Sequence, residues 1–222
     1  MKKGLLSYII TFALILSLWP LHPLQGEEER RRLGPEEREN LLGRLKDIQE
    51  GIKTFTADFT EERAIQSLPK PLIYEGTLYY HRSDFFFMRY RRPVDTIMRV
   101  EGSEVLIYVV GSGTADSADI SGVKGITGHG DIFGWDPGGF KGPVHETPQG
   151  FVFKEAQQEE SGGLTVLLDK KTLVAKCVTM TGENGDQTLF TFSNVKINRS
   201  IPAEIRNFSL PKGTRLNRLS PP

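Results

Sequence analysis

Arg82 closes an otherwise apolar row. In the stretch Gly76–Tyr108 (GTLYYHRSDFFFMRYRRPVDTIMRVEGSEVLIY), Leu78, Tyr80 and Arg82 share one parity, and so do Phe86, Met88 and Tyr90. Side chains of a strand alternate faces, so each triplet points one way. A guanidinium carries five donors and no acceptor, and among apolar neighbours it must find carbonyl or carboxylate oxygens. Backbone carbonyls of a covering helix or loop would serve. The same pattern also fits a surface arginine at a strand end beside Asp84.

Other residue sets capable of chemistry are weaker. His129, Asp131, His145 and Glu146 sit in or near a glycine-rich passage and could be drawn together as metal ligands. The chain has only 4 histidines, with no HxH or HExxH spacing, which favours surface roles. Gly111-Ser112-Gly113 follows a strand but lacks the rest of a dinucleotide fingerprint. Ser112, Ser117 and Ser121 have no nucleophile-elbow context. The sequence therefore reads as a non-enzyme needing no cofactor and no metal.

The elements that would position Arg82 are mostly strands. Pro35 starts a helix whose N-terminal end suits Glu36, Glu37 and Glu39, and Gly51 stops it. Leu41, Leu42, Leu45, Ile48 and Ile52 form one apolar stripe along it. Phe55, Ala57 and Phe59 then alternate with Thr56, Asp58 and Thr60, a half-buried strand. Pro69 and Pro71 mark a loop or edge. Gly76–Tyr108 reads as three consecutive antiparallel strands, the second ended by Pro93, which donates nothing to a ladder. A long glycine-rich passage, Gly111–Thr147, shows little periodicity. Strands resume at Phe151-x-Phe153, Leu164–Leu168, Val174–Met180, Leu189–Phe192, Val195–Ile197 and Ile205–Leu210. That makes about ten or eleven strands, joined by short turns such as Asn184-Gly185 that imply antiparallel neighbours. The expected fold is mainly β (α+β), one curved antiparallel sheet, open or half-closed, with helical material across its mouth.

Residues 1–26 read as a signal peptide, with Lys2 and Lys3 before an apolar run from Leu5 to Leu18 that is short for a membrane span. Residues 27–35 form a charged leader, residues 36–213 a single domain, and residues 214–222 a tail. Taking Lys2 and Lys3 from the balanced 28 basic and 28 acidic residues leaves a slightly acidic chain, which argues against nucleic acid as a partner. The single cysteine, Cys177, cannot form an intramolecular disulfide and reads as a small apolar filler.

The spacing Gly76-x-Leu78-x-x-x-Arg82-x-x-x-Phe86-x-x-x-Tyr90-x-x-Pro93, followed by a Gly102 turn and Leu106-x-Tyr108, resembles the periplasmic outer-membrane lipoprotein carrier family (LolA-type). Phe55-x-Ala57-x-Phe59 upstream and Phe208-x-x-Pro211-x-Gly213 near the C-terminus agree with it. The resemblance covers roughly residues 36 to 213. The chain departs from the family pattern at Ser83 (usually proline), Met88 (commonly tryptophan), Phe87 (commonly polar or basic) and Glu61 (commonly glutamine). Glycines at 122, 125, 128 and 130 oppose the apolar lid helix that the family has there. Ile126, Ile132, Phe133, Trp135 and Phe140 would instead make an apolar flap.

The resemblance implies an incomplete barrel with helices as a lid. It implies a periplasmic carrier, catalysing no reaction of its own, that binds lipoprotein acyl chains and shuttles them from inner to outer membrane. Phe55, Phe59, Leu78, Tyr80, Phe86, Met88, Tyr90, Met98, Leu106 and Tyr108 would line the apolar cavity, with Arg82 as the lid switch. Its partners would be an ATP-driven extractor in the inner membrane and a lipoprotein receptor at the outer membrane, and the chain would act as a monomer. Two other readings stay open: a carrier of another envelope lipid or glycolipid, and a lipid-sensing periplasmic regulator on the same fold.

Overall fold

The computed structural model describes residues 30–82, 85–121, 140–154 and 163–219. In chain order the elements are β1 (Arg31–Arg32), α1 (Pro35–Gly51), β2 (Thr54–Ala64), β3 (Leu72–His81), β4 (Phe85–Arg92), β5 (Thr96–Glu101), β6 (Glu104–Val109) and β7 (Thr114–Asp119). They continue with β8 (Val144–Thr147), β9 (Gly150–Lys154), β10 (Gly163–Leu168), β11 (Ala175–Thr181), β12 (Gln187–Ile197), α2 (Ala203–Arg206) and β13 (Arg215–Leu219). The signal-peptide and leader reading for residues 1–29 lies outside the described residues, as does most of the glycine-rich flap.

Two antiparallel meanders make the sheet. β2 to β7 follow one another, as do β8 to β12, and the pairing of β12 with β2 joins them, with Phe192 opposite Phe59. The two-residue β1 forms one edge, and β13, the single parallel neighbour, lies on β7 at the other. Among the described residues the two edges do not pair with each other, so the sheet they form is open.

α1 begins at Pro35, with the Glu37 carboxylate accepting the Gly34 N–H at 3.0 Å, and ends at Gly51. Its first-turn acids face the positive end of the helix dipole. Leu41 and Leu45 are buried, while Leu42, Ile48 and Ile52 pack at the margin. The stripe therefore lies on one sheet face, in a cluster with Phe55, Ala57, Phe59, Leu78, Met88, Phe153, Val166 and Phe190. The opposite face carries a second cluster of Phe85, Phe87, Ile97, Leu106, Tyr108 and Ala115, covered by Ile201, Ile205, Phe208 and Leu210. Gly76 lets Phe59 cross its strand: a Cβ there would sit 2.7 Å from the Phe59 ring and 2.2 Å from the Arg89 carbonyl oxygen.

The strand inventory differs from the expected one in several places, two of them being β1 in the expected leader and β13 in the expected tail. Gly76–Tyr108 holds parts of four strands rather than three, because the turn at Gly102 (φ 59°) splits β5 from β6. β7 and β8 lie within the passage that lacked periodicity. Leu189–Phe192 and Val195–Ile197 are one strand, kinked where Asn194 takes φ 52° and the register shifts. Ile205–Leu210 is not a strand; Pro202 caps α2 and the following chain lies against the second cluster. Cys177 is half-buried in β11, donating its thiol to Thr191 Oγ1 at 3.8 Å.

Candidate functional site

α1 covers only part of its sheet face. Beside it, a cavity of about 630 Å³ remains, within the roughly 300–1,000 Å³ typical of small-molecule sites. Tyr80 of β3, Phe86, Met88 and Tyr90 of β4, and Met98 of β5 line it, as the alternation requires. Ile65, Val100, Val105, Ile120, Met180 and Phe190 complete the apolar wall. Methionines and aromatics suit such a surface, since they adapt to irregular shapes.

The other expected lining residues lie elsewhere. Phe55, Phe59 and Leu78 are 3%, 3% and 0% exposed in the core cluster that includes the α1 leucines, so they support the wall from behind. Phe59 packs edge-on against Tyr90 at 5.2 Å, coupling core to cavity. Leu106 and Tyr108 belong to the opposite face. The reason is register: Glu101 faces Glu104 across the turn, so Val100 meets Val105, Met98 meets Ile107, and Leu106 falls opposite Arg99.

Glu61, Arg63, Asp186, Gln187 and Thr188 also line the cavity and escape the sequence-based site, although Glu61 and Arg63 continue the parity of Phe55, Ala57 and Phe59. Glu61 is 1% exposed and lines the cavity with Arg63, whose Nε donates to Glu61 Oε1 at 2.5 Å. Glu61 Oε2 is buried and has no hydrogen-bond partner among the described residues. The Arg63 guanidinium stacks over Tyr74, 4.6 Å from the ring centroid. Tyr90 lies beside this pair, and burial first, then the Glu61 charge, raises its pKa well above the usual phenol value. Its hydroxyl therefore stays protonated throughout the neutral range.

Arg82 reaches across to the C-terminal end of α1. Its guanidinium donates to the Gln49 carbonyl at 3.1 Å and to the Glu50 carbonyl, while its own N–H donates to Lys53 O at 2.9 Å. The last four carbonyls of a helix lack intrahelical partners, and α1 has no basic residue in its last turn. At the other end of α1, Arg38 donates to the carbonyls of Phe140 and Gly142, tying the chain after the flap to the helix. Phe140 itself is buried against Phe153.

Of the alternative ligand set, His129 and Asp131 lie outside the described residues. His145 sits in β8, and Glu146 is engaged by Arg31 at 2.7 Å and Lys170 at 2.9 Å, which hold its carboxyl below the usual range. Ser112 caps its own turn, bonding Thr114, and Ser117 is buried in β7. No helix among the described residues is long and apolar enough to cross a membrane.

No known family model matches the sequence, and no curated protein matches it. Solved structures do. An uncharacterized conserved protein from Thermus thermophilus superimposes with a TM-score of 0.52 at 11% identity, over 80% of this chain and 98% of that one. A LolA-superfamily protein from Nitrosomonas europaea gives 0.41 at 8% identity, over 76% and 96%. The Pseudomonas aeruginosa MucA/MucB complex gives 0.42 at 14% identity, over 75% of this chain and 59% of that one. At these identities the likeness is one of fold. The open, mostly antiparallel sheet is the half-closed architecture expected from the sequence.

Proposed function

We propose that this protein is a periplasmic carrier that shelters lipoprotein acyl chains in the cavity beside α1 and conveys them from the inner to the outer membrane. The observation that supports it is an apolar, preformed cavity of about 630 Å³ that the described side chains leave unfilled. Burial is worth about 0.8 kcal/mol per methylene, so a chain of ~15 methylenes gains about 12 kcal/mol on leaving water. A tightly interdigitated core would offer no such host. In this reading residues 1–26 direct export, Arg82 latches the empty form, and no catalytic step occurs. The partners are an ATP-driven extractor that loads the carrier and an outer-membrane receptor that empties it.

Native mass spectrometry of the exported protein tests this. The expected result is a population carrying an acylated polypeptide, released when organic solvent extracts the lipid. Persistent recovery of cargo-free protein from cells making lipoproteins would remove the proposal. A bound mass matching a lipid without polypeptide would favour a carrier of another envelope lipid. The glycines at 122, 125, 128 and 130, where the similar family has an apolar helix, motivate keeping that second reading.

A further inference from the structure

An apolar cavity built only to hold hydrocarbon has no use for a charge, yet this one has two carboxylates in its wall, Glu61 and Asp186, of which Asp186 already accepts from Gln66 N–H and Asn184 Nδ2. Glu61 projects from β2 on the cavity face, where Phe190 of β12 and Tyr74 of β3 flank it in register. It is 1% exposed. Arg63 occupies Oε1, while Oε2 has no hydrogen-bond partner among the described residues. The Tyr90 hydroxyl also interacts with the Glu61 carboxylate, yet Oε2 meets no donor in hydrogen-bond geometry among the described residues. A buried acceptor left unmade is costly, and nearly all such oxygens in folded proteins find a donor. The Arg63 side chain is 42% exposed and lies at the mouth, leaving Glu61 as the deeper charge.

We infer that Glu61 and Arg63 form a recognition point for the polar end of the cargo, with Glu61 Oε2 accepting an amide N–H and Arg63 donating to the adjoining carbonyl. The ligand class is an N-acyl amide. This deepens the acyl-carrier reading and rests on it. A fatty-acid anion offers Glu61 no donor and would bring a second negative charge beside the first in a poorly solvated wall. The pair therefore sorts acyl chains by what terminates them: amides enter, ester-terminated chains bind through hydrocarbon alone, and fatty-acid anions are turned away.

Three probes of equal chain length separate these terms: dodecanamide, methyl dodecanoate and dodecanoate. Each competes against 1-N-phenylnaphthylamine fluorescence on the full mature chain. Wild-type protein is expected to bind the amide about tenfold or more tightly than the ester, the size of one hydrogen bond to a charged group. Glu61→Leu abolishes that preference, and a far-UV circular dichroism spectrum and melting temperature like those of wild type report its intact fold. Glu61→Gln, which removes the charge but keeps a carbonyl acceptor, binds dodecanoate more tightly than wild type. Equal binding of amide and ester by wild type, or an amide preference that survives Glu61→Leu, overturns the inference while leaving the carrier reading intact. Should Glu61→Leu fail to fold, unchanged dodecanoate affinity in Glu61→Gln overturns it. Failure of methyl dodecanoate to bind wild type overturns the carrier reading, and this inference with it.

Discussion

Arg82 donates from its guanidinium to the Gln49 main-chain carbonyl, 3.1 Å away, and so joins the β3 end to the last turn of α1. The Glu50 carbonyl accepts from the same nitrogen. These contacts fix the helix at one end of the face it partly covers. They are exposed, so their net worth to folding is modest, about 1 kcal/mol. In a carrier, the same bonds would resist displacement of α1 during unloading or loading. Arg82→Leu is expected to leave the fold and acyl loading intact and to impair handover. A two-membrane transfer assay reads this directly, and normal transfer by the variant would remove Arg82 from the mechanism.

Gly76 has no room for a methyl group. The Arg89 carbonyl oxygen at 2.2 Å from an added Cβ is backbone of the paired strand, and the Phe59 ring lies at 2.7 Å. The position of an added Cβ is fixed by the backbone, and a small shift of one atom does not relieve both contacts. Gly76→Ala is expected to destabilise the chain by about 1–3 kcal/mol, in the range of overpacked cores. The Phe59 ring is the support behind Tyr90, so the variant should also weaken acyl binding. Urea unfolding together with probe titration measures both; an unchanged midpoint would contradict the close packing.

Asp58 binds two neighbours on adjacent strands. Asn194 Nδ2 donates to Oδ2 at 2.9 Å, and Thr77 Oγ1 donates to Oδ1 at 2.9 Å. The Asn194 bond first, and the Thr77 bond with it, hold this carboxyl below its ordinary range against the opposing effect of burial. A carboxyl with a lowered native pKa adds stability above its unfolded pKa, about 3.9, and loses it as pH falls through the lower native value. Asp58→Asn is therefore expected to lower stability near neutrality by about 1 kcal/mol and to narrow its gap to wild type as pH falls below the unfolded value. Thermal melts across that range check the sign. A gap that widened in acid would refute the assignment.

Much of this architecture is written in local chemistry. Pro35 and Gly51 bracket α1 because one fits a helix start and the other a stop, and Tyr80, Phe86, Met88 and Tyr90 face together because strand parity is strict. Leu106 and Tyr108 read as cavity residues yet face away from it, because aromatic and aliphatic character does not say which face a strand offers. That depends on the two-residue connection between Glu101 and Glu104. β7, with the sequence TADSAD, gives no apolar signal, since its place comes from main-chain pairing with β6 and β13. Ile205–Leu210 has strand-like residues, but its contacts are with the outer face of a sheet already complete beneath it. Glu61 is legible by parity alone; its role is hidden because a lone carboxylate in an alternating strand usually faces water.

Val105 and Ile107 offer a test of the cavity that needs no knowledge of the cargo. Both lie on β6 with the same parity, but Val105 lines the cavity and Ile107 is 43% exposed outside it. A tryptophan at 105 would fill open space, since nothing in a preformed cavity has to be displaced to receive it. Little stability should be lost, in contrast to overpacking of a closed core. Acyl binding should fall, and more for long chains than for short ones, because the added ring shortens the accessible hydrocarbon path. Ile107→Trp adds the same bulk on the same strand and should leave chain-length dependence unchanged. Titrating saturated alcohols of increasing length into wild type, Val105→Trp and Ile107→Trp measures this. If both variants weaken binding equally at every length, the hydrocarbon lies along the open strand face and not in the cavity.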